Sequence, residues 1–332
     1  REYLAKGIKA NASYQGNYHL STPMGRAILA KKAVEVAQAE GADCIAHGCT
    51  GKGNDQVRIE GYILTLEPKM KIIAPVREWD MDRNEEIKYA KKHNIAVPAS
   101  IDFPYSVDDN MWGMTWEGGE IEDPHLIVPV ENFLTTYTLP KDASDNEILV
   151  TLDFENGIPV ALNGEKKSLG KLIVELNKIA GKHGAGVVQI VEDRLVGVKN
   201  RGVYELPGAH VIIEAHKALE KYVSTRKLNE IKEELDVKWA YLCYGALWYD
   251  PAMTAINAFN DKVASTLVLI LKIFTSQLNE LVDDILKSNS REDHQADDQD
   301  VSNPDLNQPV DIDQVLKEFE VERQKRFKPP PD

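Results

Sequence analysis

Over the first hundred residues, short apolar segments alternate with longer helical ones, and few folds accommodate that alternation. "TPMGRAILAKKAVEVAQAEG" (22–41) predicts a helix capped by Thr22, with Pro23 at the first helical position and Gly41 ending it. "ADCIAHG" (42–48) predicts a short strand, and "DQVRIEGYILTLEP" (55–68) a helix weakened by Gly61. "MKIIAPV" (70–76) reads as a buried strand, "DRNEEIKYAKKHN" (82–94) as a helix with Asp82 as its cap, and "IAVPA" (95–99) as another strand. Strand–helix–strand order of this kind implies a parallel sheet covered by helices. Such sheets bind ligands in the loops that leave the carboxyl ends of their strands. The loop "HGCTGKGNDQVR" (47–58) occupies that place.

Beyond Pro98 the pattern changes. "SIDFPYSVDDNMWGMTWEGGEIEDPH" (100–125) is polar, aromatic and glycine-rich, too long for a routine connection, and marks a functional segment or a domain crossover. "EILVTLDF", "ENG" and "IPVALNG" predict a hairpin. "SLGKLIVELNKIAGKHG" predicts an amphipathic helix with Leu169, Leu172, Ile173, Leu176 and Ile179 on one stripe. "AGVVQIVEDRLVGVK" is strand-like, and "HVIIEAHKALEKYV" opens either a strand or a helix. Val263, Leu267, Ile270, Leu271, Phe274, Leu278, Leu281 and Ile285 then suggest a further helical stripe. The expected organisation is an α/β nucleotide-binding unit over 1–98, an α+β unit over 99–264, and over 265–332 a helix followed by an acidic, disordered tail.

Charge narrows the function. The formal net charge is −14 over 332 residues. Half of it lies between Ser288 and Asp313, where Glu292, Asp293, Asp297, Asp298, Asp300, Asp305, Asp311 and Asp313 face Arg291 alone. A chain this acidic is not built for sequence-independent nucleic-acid binding. Cys44, Cys49 and Cys243 form no CxxC pair, which excludes a zinc motif and a disulfide framework and suits a reducing, cytoplasmic setting. The best apolar run, "STLVLILKIF", is about half the length of a membrane-spanning helix.

The loop at 47–58 suggests phosphate yet fits no standard cradle. A P-loop needs four residues between its glycines and then Lys-Ser or Lys-Thr. Here two residues separate Gly48 from Gly51, and Gly53 follows Lys52. The dinucleotide fingerprint needs glycine where Gln56 stands. Glycines still let backbone approach a ligand, N–H groups at a helix start attract anions, and Arg58 can grip a carboxylate with two N–H groups. The bland alternative is a surface loop whose Asn54 and Asp55 cap the next helix.

"HGCTGKGNDQVR" resembles the His-Gly-Ala-Thr-Gly-Lys-Gly-Asn-Asp-Gln-Val-Arg motif of the argininosuccinate synthase family, with Cys49 in place of alanine. "NYHLSTPMGR" is similar to the tyrosine-to-arginine segment that precedes that motif. "PYSVDDNMWGMTWEGG" resembles its Trp-Ser-x-Asp-x-Asn-Leu segment, and "AGKHGAGVVQIVEDRLVGVKNRGVYELPG" its Gly-Lys-His-Gly to Gly-x-Tyr-Glu run. "YGALWYDP" resembles a later Tyr-x-Gly-x-Trp signature, so the likeness runs from about residue 10 to Val263.

The resemblance implies an adenine nucleotide alpha hydrolase-like first domain and a ligase of arginine biosynthesis. Such enzymes join citrulline to aspartate with ATP, accompanied by Mg2+, through citrullyl-AMP. It implies that Ala46, His47, Gly48, Cys49, Thr50, Gly51, Lys52, Gly53 and Asn54 line the ATP site. Thr50, Asn54 and Asp55 would hold aspartate for the chemistry, and Asn54 and Arg58 would touch citrulline. Tyr18, Thr22, Ser106, Thr115, Glu192 and Tyr204 would complete the citrulline pocket, and Lys199 and Arg201 would carry charge toward it.

No metal ligands are expected among the protein's side chains, and His47, His183 and His216 read as structural. Pro23 stands where the family has a citrulline-binding serine, for which Thr22 is expected to substitute. Ala27, Thr115 and Asn200 replace a proline and two serines. The family's Ser-Gly-Gly-Leu-Asp-Thr-Ser loop, which grips the ATP pyrophosphate, is expected upstream of Arg1. The resemblance implies a homotetramer, with the arm that builds it expected to be absent here. The alternative is a non-catalytic chain that binds an amino acid or a partner.

Overall fold

The computed structural model describes residues 3–79, 83–95, 105–144, 146–247 and 250–271. Helix α1 (Leu4–Lys9) leads to α2 (Ser21–Glu40), β1 (Cys44–Ala46), α3 (Asp55–Leu66) and β2 (Lys71–Ile73). Two short helices follow, α4 (Pro75–Glu78) and α5 (Arg83–Lys92). Strands β3 (Ser106–Asn110), β4 (Gly113–Glu117), β5 (Ile148–Glu155), β6 (Ile158–Leu162) and β7 (Glu165–Lys166) precede α6 (Leu169–Lys182). The rest is β8 (Val187–Asp193), β9 (Lys199–Glu205), α7 (Pro207–Val223), α8 (Arg226–Tyr244), α9 (Asp250–Asn260) and β10 (Ser265–Leu271). Residues Arg1–Thr275 form one compact unit.

Strands β1 and β2 pair in parallel, with Cys44 opposite Lys71 and Ala46 opposite Ile73, as the alternation requires. The strand expected to be buried is not, since Lys71 and Ile73 are both exposed. Among the described residues this sheet has two strands, so β2 has a ladder partner on one side. Helices α2 and α3 pack through a stripe of small residues. Ala27, Ala30, Val34 and Ala37 meet Ile59, Tyr62 and Ile63 in a shared core, and alanines let the two helix axes come close.

The ends of α2 differ in how they obey the sequence. Gly41 takes a left-handed φ of 67° and closes the helix as expected. Thr22 does not cap it. The helix starts two residues earlier, after Leu20, and Thr22 lies buried in its first turn. The orphan N–H of Thr22 is instead satisfied by the Tyr18 hydroxyl at 3.2 Å. Asp82 and most of "IAVPA" lie outside the described residues, as does Trp248 of "YGALWYDP".

Two antiparallel sheets follow, ordered β3-β4-β9-β8 and β10-β5-β6-β7. The β5–β6 turn is Asn156-Gly157 with φ of 49° and 72°, the left-handed pair a tight hairpin needs. Helix α6 buries Leu169, Leu172, Ile173 and Leu176, each contributing about 1.5–3 kcal/mol of apolar burial. The segment left open between strand and helix is α7, begun by Pro207. The main core runs across residue 98. Ile8, Tyr18, Leu20 and Met24 join Leu152, Ile212, Ile213 and Trp239 in it.

The helical stripe expected from Val263 is a strand where it is described. Ser265–Leu271 pairs antiparallel with β5, from Ser265 opposite Phe154 to Leu271 opposite Ile148. The run "STLVLIL" is rich in branched residues and satisfies either period. The open edge of β5 supplies a ladder of backbone hydrogen bonds and decides for strand. Phe274, Leu278, Leu281 and Ile285 lie outside the described residues.

Candidate functional site

The loop at 47–54 leaves β1 and enters α3. Its first residue is anchored by the His47 N–H on the Ile73 carbonyl at 3.0 Å, so it starts at the carboxyl edge of the parallel pair. Inside the loop, Cys49 N–H reaches His47 Nδ1 at 3.2 Å and Gln56 donates to the Gly51 carbonyl at 2.6 Å. A Cβ built at Gly48 or Gly51 would meet nothing within 4 Å. These glycines are therefore not demanded by packing; they leave bare backbone open to an incoming group.

Asn54 does not serve as a capping side chain. Its amide donates to the Tyr244 hydroxyl at 2.8 Å and its carbonyl accepts from the Leu195 N–H at 2.8 Å. Asp55 turns toward cations. Arg26 lies 2.7 Å from it and Arg58 3.6 Å. Arg26 also donates to Asp108 at 2.6 Å. Burial works against the Arg26 cation, but its bonds to Asp55 and Asp108 outweigh that and raise its pKa.

A cavity of about 740 Å³ opens above this loop. His47, Gly48, Cys49, Thr50, Lys52 and Gly53 form one wall, with Asn54, Asp55 and Arg58 at the start of α3. Tyr18 and Thr22 come from the entry to α2, Ser106 and Thr115 from the β3–β4 hairpin, and Glu192 and Tyr204 from β8 and β9. Ala46 and Gly51 do not line it. Apart from Lys199 and Arg201, the other residues singled out from sequence are brought together, although they are spread from 18 to 204 in the chain.

Register explains the convergence. Thr115 sits opposite Tyr204, and Glu192 opposite Asn200, so one sheet face carries all of them. The Thr22 and Thr115 hydroxyls are 3.2 Å apart. The Tyr18 and Tyr204 rings pack at 4.2 Å, and the Tyr204 hydroxyl donates to Glu192 at 3.3 Å.

Lys199 and Arg201 alternate onto the opposite face and do not reach the cavity. Lys199 pairs with Asp193. Arg201 donates to the backbone carbonyls of Ile121 at 2.6 Å and Leu126 at 2.9 Å.

The same alternation reveals groups that motif reading passed over. Glu117 lies two residues beyond Thr115, and Arg194 two beyond Glu192, so each shares its neighbour's face. Both line the cavity, as do Arg26, Asp108 and Glu122. Arg194 donates to Glu117 at 2.9 Å and stands 3.9 Å from Glu192.

Glu192 is 3% exposed. Burial and the nearby Glu117 raise its pKa, against the pull of Arg58 and Arg194. Burial likewise raises Glu117, with Arg194 opposing. Burial and Glu192 push the Tyr18 hydroxyl up to about 12. Arg58 is held by the Tyr244 carbonyl at 3.0 Å and lies 4.5 Å over that ring. Its Nη2 is buried without a hydrogen-bond acceptor. A buried guanidinium N–H without a partner is costly, and a ligand oxygen would relieve it.

Among the described residues no three His, Cys, Asp or Glu side chains are grouped to hold a metal ion, and no helix is long and apolar enough to cross a membrane. His47 lies 3.1 Å from Glu60, and His216 sits between Asn11 and Asn260.

Two family models match the chain. The Arginosuccinate synthase N-terminal HUP domain matches residues 1–96 and the Arginosuccinate synthase C-terminal domain residues 105–277. The chain is 50% identical over 260 residues to an argininosuccinate synthase of Pyrococcus furiosus, covering 78% of this chain and 62% of that protein. It is 45% identical over 272 residues to that of Halalkalibacterium halodurans, covering 82% and 66%. Over 280 residues it is 45% identical to that of Methanococcus maripaludis, covering 84% and 70%. The chain thus spans about two thirds of the length of these relatives.

Proposed function

The chain belongs to the argininosuccinate synthase family, and from that membership we propose that its cavity binds citrulline and aspartate beside the α-phosphate of ATP and joins them. The ureido oxygen of citrulline attacks the α-phosphorus and pyrophosphate leaves. The aspartate amine then attacks the activated carbon, AMP leaves, and argininosuccinate is formed. The bare backbone at Gly48, on the cavity wall, suits close approach by the nucleotide. Thr50, Asn54 and Asp55 serve aspartate. Asp55 holds the attacking amine, chiefly a gain in orientation.

One observation carries the citrulline assignment. The same cavity holds a buried carboxylate, Glu192, and a buried guanidinium with an unfilled N–H, Arg58. That pair complements the two charged ends of an α-amino acid. The hydroxyls of Tyr18, Thr22, Thr115 and Tyr204 are at hand for the neutral ureido tip. Thr22 meeting Thr115 at 3.2 Å supports its standing in for the family's serine at Pro23. Mg2+ accompanying the nucleotide would be held mainly by phosphate oxygens and water, and no protein ligand is assigned to it. The three free cysteines support a cytoplasmic setting.

The test is calorimetry with citrulline, followed by assay of pyrophosphate and argininosuccinate with ATP, citrulline and aspartate together. Citrulline binding that falls at least about tenfold in Glu192→Gln is expected, about the loss of one charge-assisted hydrogen bond. Absence of citrulline binding in the unaltered chain would overturn the proposal. Binding with no pyrophosphate release would restrict this chain to amino-acid capture.

A further inference from the structure

The turn that follows β8 touches the glycine loop from the far side of the cavity. Asp193, Arg194 and Leu195 leave the strand there, with Arg194 N–H on the Val198 carbonyl at 2.9 Å and Gly197 N–H on the Arg194 carbonyl at 3.0 Å. Gly197 has a φ of 84°, which lets the turn double back. On the outer side Asp193 is pinned by Gln15, whose amide donates to its carboxylate at 2.7 Å and accepts its N–H at 3.1 Å. On the inner side two bonds reach the loop. Arg194 Nη1 donates to the Lys52 carbonyl at 3.3 Å, and Leu195 N–H donates to the Asn54 side chain at 2.8 Å.

We propose that Arg194 is a positioning residue that latches the β8–β9 turn onto the 47–54 loop, so that the nucleotide wall and the amino-acid wall of the cavity are held as one site. Both arms of its fork are engaged. One arm takes the Lys52 carbonyl, the other takes Glu117 on β4 at 2.9 Å, and Nε faces Glu192 at 3.9 Å. Three chain segments distant in sequence therefore meet on one guanidinium whose side chain is 12% exposed. A lysine presents one compact ammonium, whereas the planar fork reaches these separated partners from different nitrogens. Through the loop, Arg194 fixes the height of Asn54, and through Glu192 the aim of the buried carboxylate. The ligands named for the two walls rest on the proposed function, whereas the latch rests on the hydrogen bonds alone.

The test follows the Leu195 amide by hydrogen exchange in the unaltered chain, in Arg194→Ala and in Arg194→Lys, with melting temperature recorded alongside. Calorimetry with citrulline and with AMP is run on the same three proteins. The latch predicts Leu195 exchange about tenfold faster in Arg194→Ala and an intermediate rate in Arg194→Lys. It also predicts that affinity for both ligands falls together, each by about tenfold. Citrulline binding should in addition be lost at a higher pH in Arg194→Ala, because Glu192 loses one of the cations that favour its ionised form. An unchanged Leu195 rate in both variants would overturn the proposal, as would loss of citrulline binding with AMP binding intact. If the unaltered chain binds neither ligand, the functional reading fails, and the exchange rates still decide the latch.

Discussion

The side-chain amide of Asn54 donates to the hydroxyl of Tyr244 at 2.8 Å, across 190 residues of sequence. A loop residue at the mouth of α3 is thus set by the last residue of α8, and Tyr244 is itself fixed by a face-to-face stack on Tyr14 at 3.6 Å. Tyr244→Phe keeps the stack and removes the hydroxyl, leaving a buried amide donor unpaired. The expected result is a loss of about 1 kcal/mol of stability. Affinity for aspartate should fall about threefold to tenfold, with citrulline binding less affected. Calorimetry with each amino acid separately checks the split.

Glu192 is buried at a cost to stability. Its carboxyl is pushed up in the folded chain, so the neutral form is favoured by folding. The sign follows directly. The folded state gains from this group below its unfolded pKa, and the gain is lost as pH rises through the folded value. At pH 7 the buried carboxylate is therefore a cost, and Glu192→Gln should raise the melting temperature of the ligand-free chain. A rise on the order of 2 °C corresponds to about 1 kcal/mol in a domain this large. Well below the carboxylate range the difference should vanish. Scans at pH 3.5 and 7 measure it, and a lower melting temperature for Glu192→Gln at pH 7 would contradict the burial argument.

A second pH effect lies away from the cavity. Lys232 bridges Glu220 at 2.7 Å and Asp236 at 2.6 Å, and Asn11 donates to both carboxylates and meets His216 at 2.7 Å. Burial pushes Asp236 up from 3.8 to about 7, against the pull of Lys232, and pushes His216 down from 6.5 to about 4. The raised acid makes stability fall as pH climbs from about 4 to 7. The depressed histidine makes stability rise from about 4 to 6.5. Over the shared window the two slopes oppose each other. Asp236→Asn should unmask stability that increases with pH, and His216→Gln stability that decreases. Urea midpoints at pH 4.5, 5.5 and 6.5 give both slopes.

What could be read from sequence divides by distance along the chain. The Asn156-Gly157 turn and the Leu169–Leu176 stripe are local, so residue type alone specifies them. Glu117 and Arg194 were legible in principle, since strand alternation puts them beside Thr115 and Glu192. Arg201 was misplaced for want of the same rule. Two features could not be read locally. Ser265–Leu271 becomes strand because β5 offers an edge more than a hundred residues earlier. Asn54 gives up capping because Tyr244 and Leu195 compete for its side chain. In each case a long-range partner outweighs a local preference.

Glu205 tests whether the framework and the cavity can be separated. It follows Tyr204 on β9 and points to the opposite face, where it is fully buried. It accepts from Trp116 Nε1 at 2.7 Å, from the Thr136 N–H and hydroxyl at 2.7 Å each, and from the Thr135 N–H at 3.2 Å. The charge is met by donors alone, which fasten residues 135 and 136 to the sheet. In Glu205→Gln one oxygen becomes an N–H group that faces other donors. The expected loss is about 2–3 kcal/mol, the range for hydrogen bonds to a charged group together with an unsatisfied buried donor. Citrulline affinity should change less than about twofold at a temperature where the variant is folded, since Tyr204 keeps its ladder to Thr115. Urea unfolding and calorimetry on the same sample decide it. A destabilised variant that also lost citrulline would mean that the two faces of β9 are coupled.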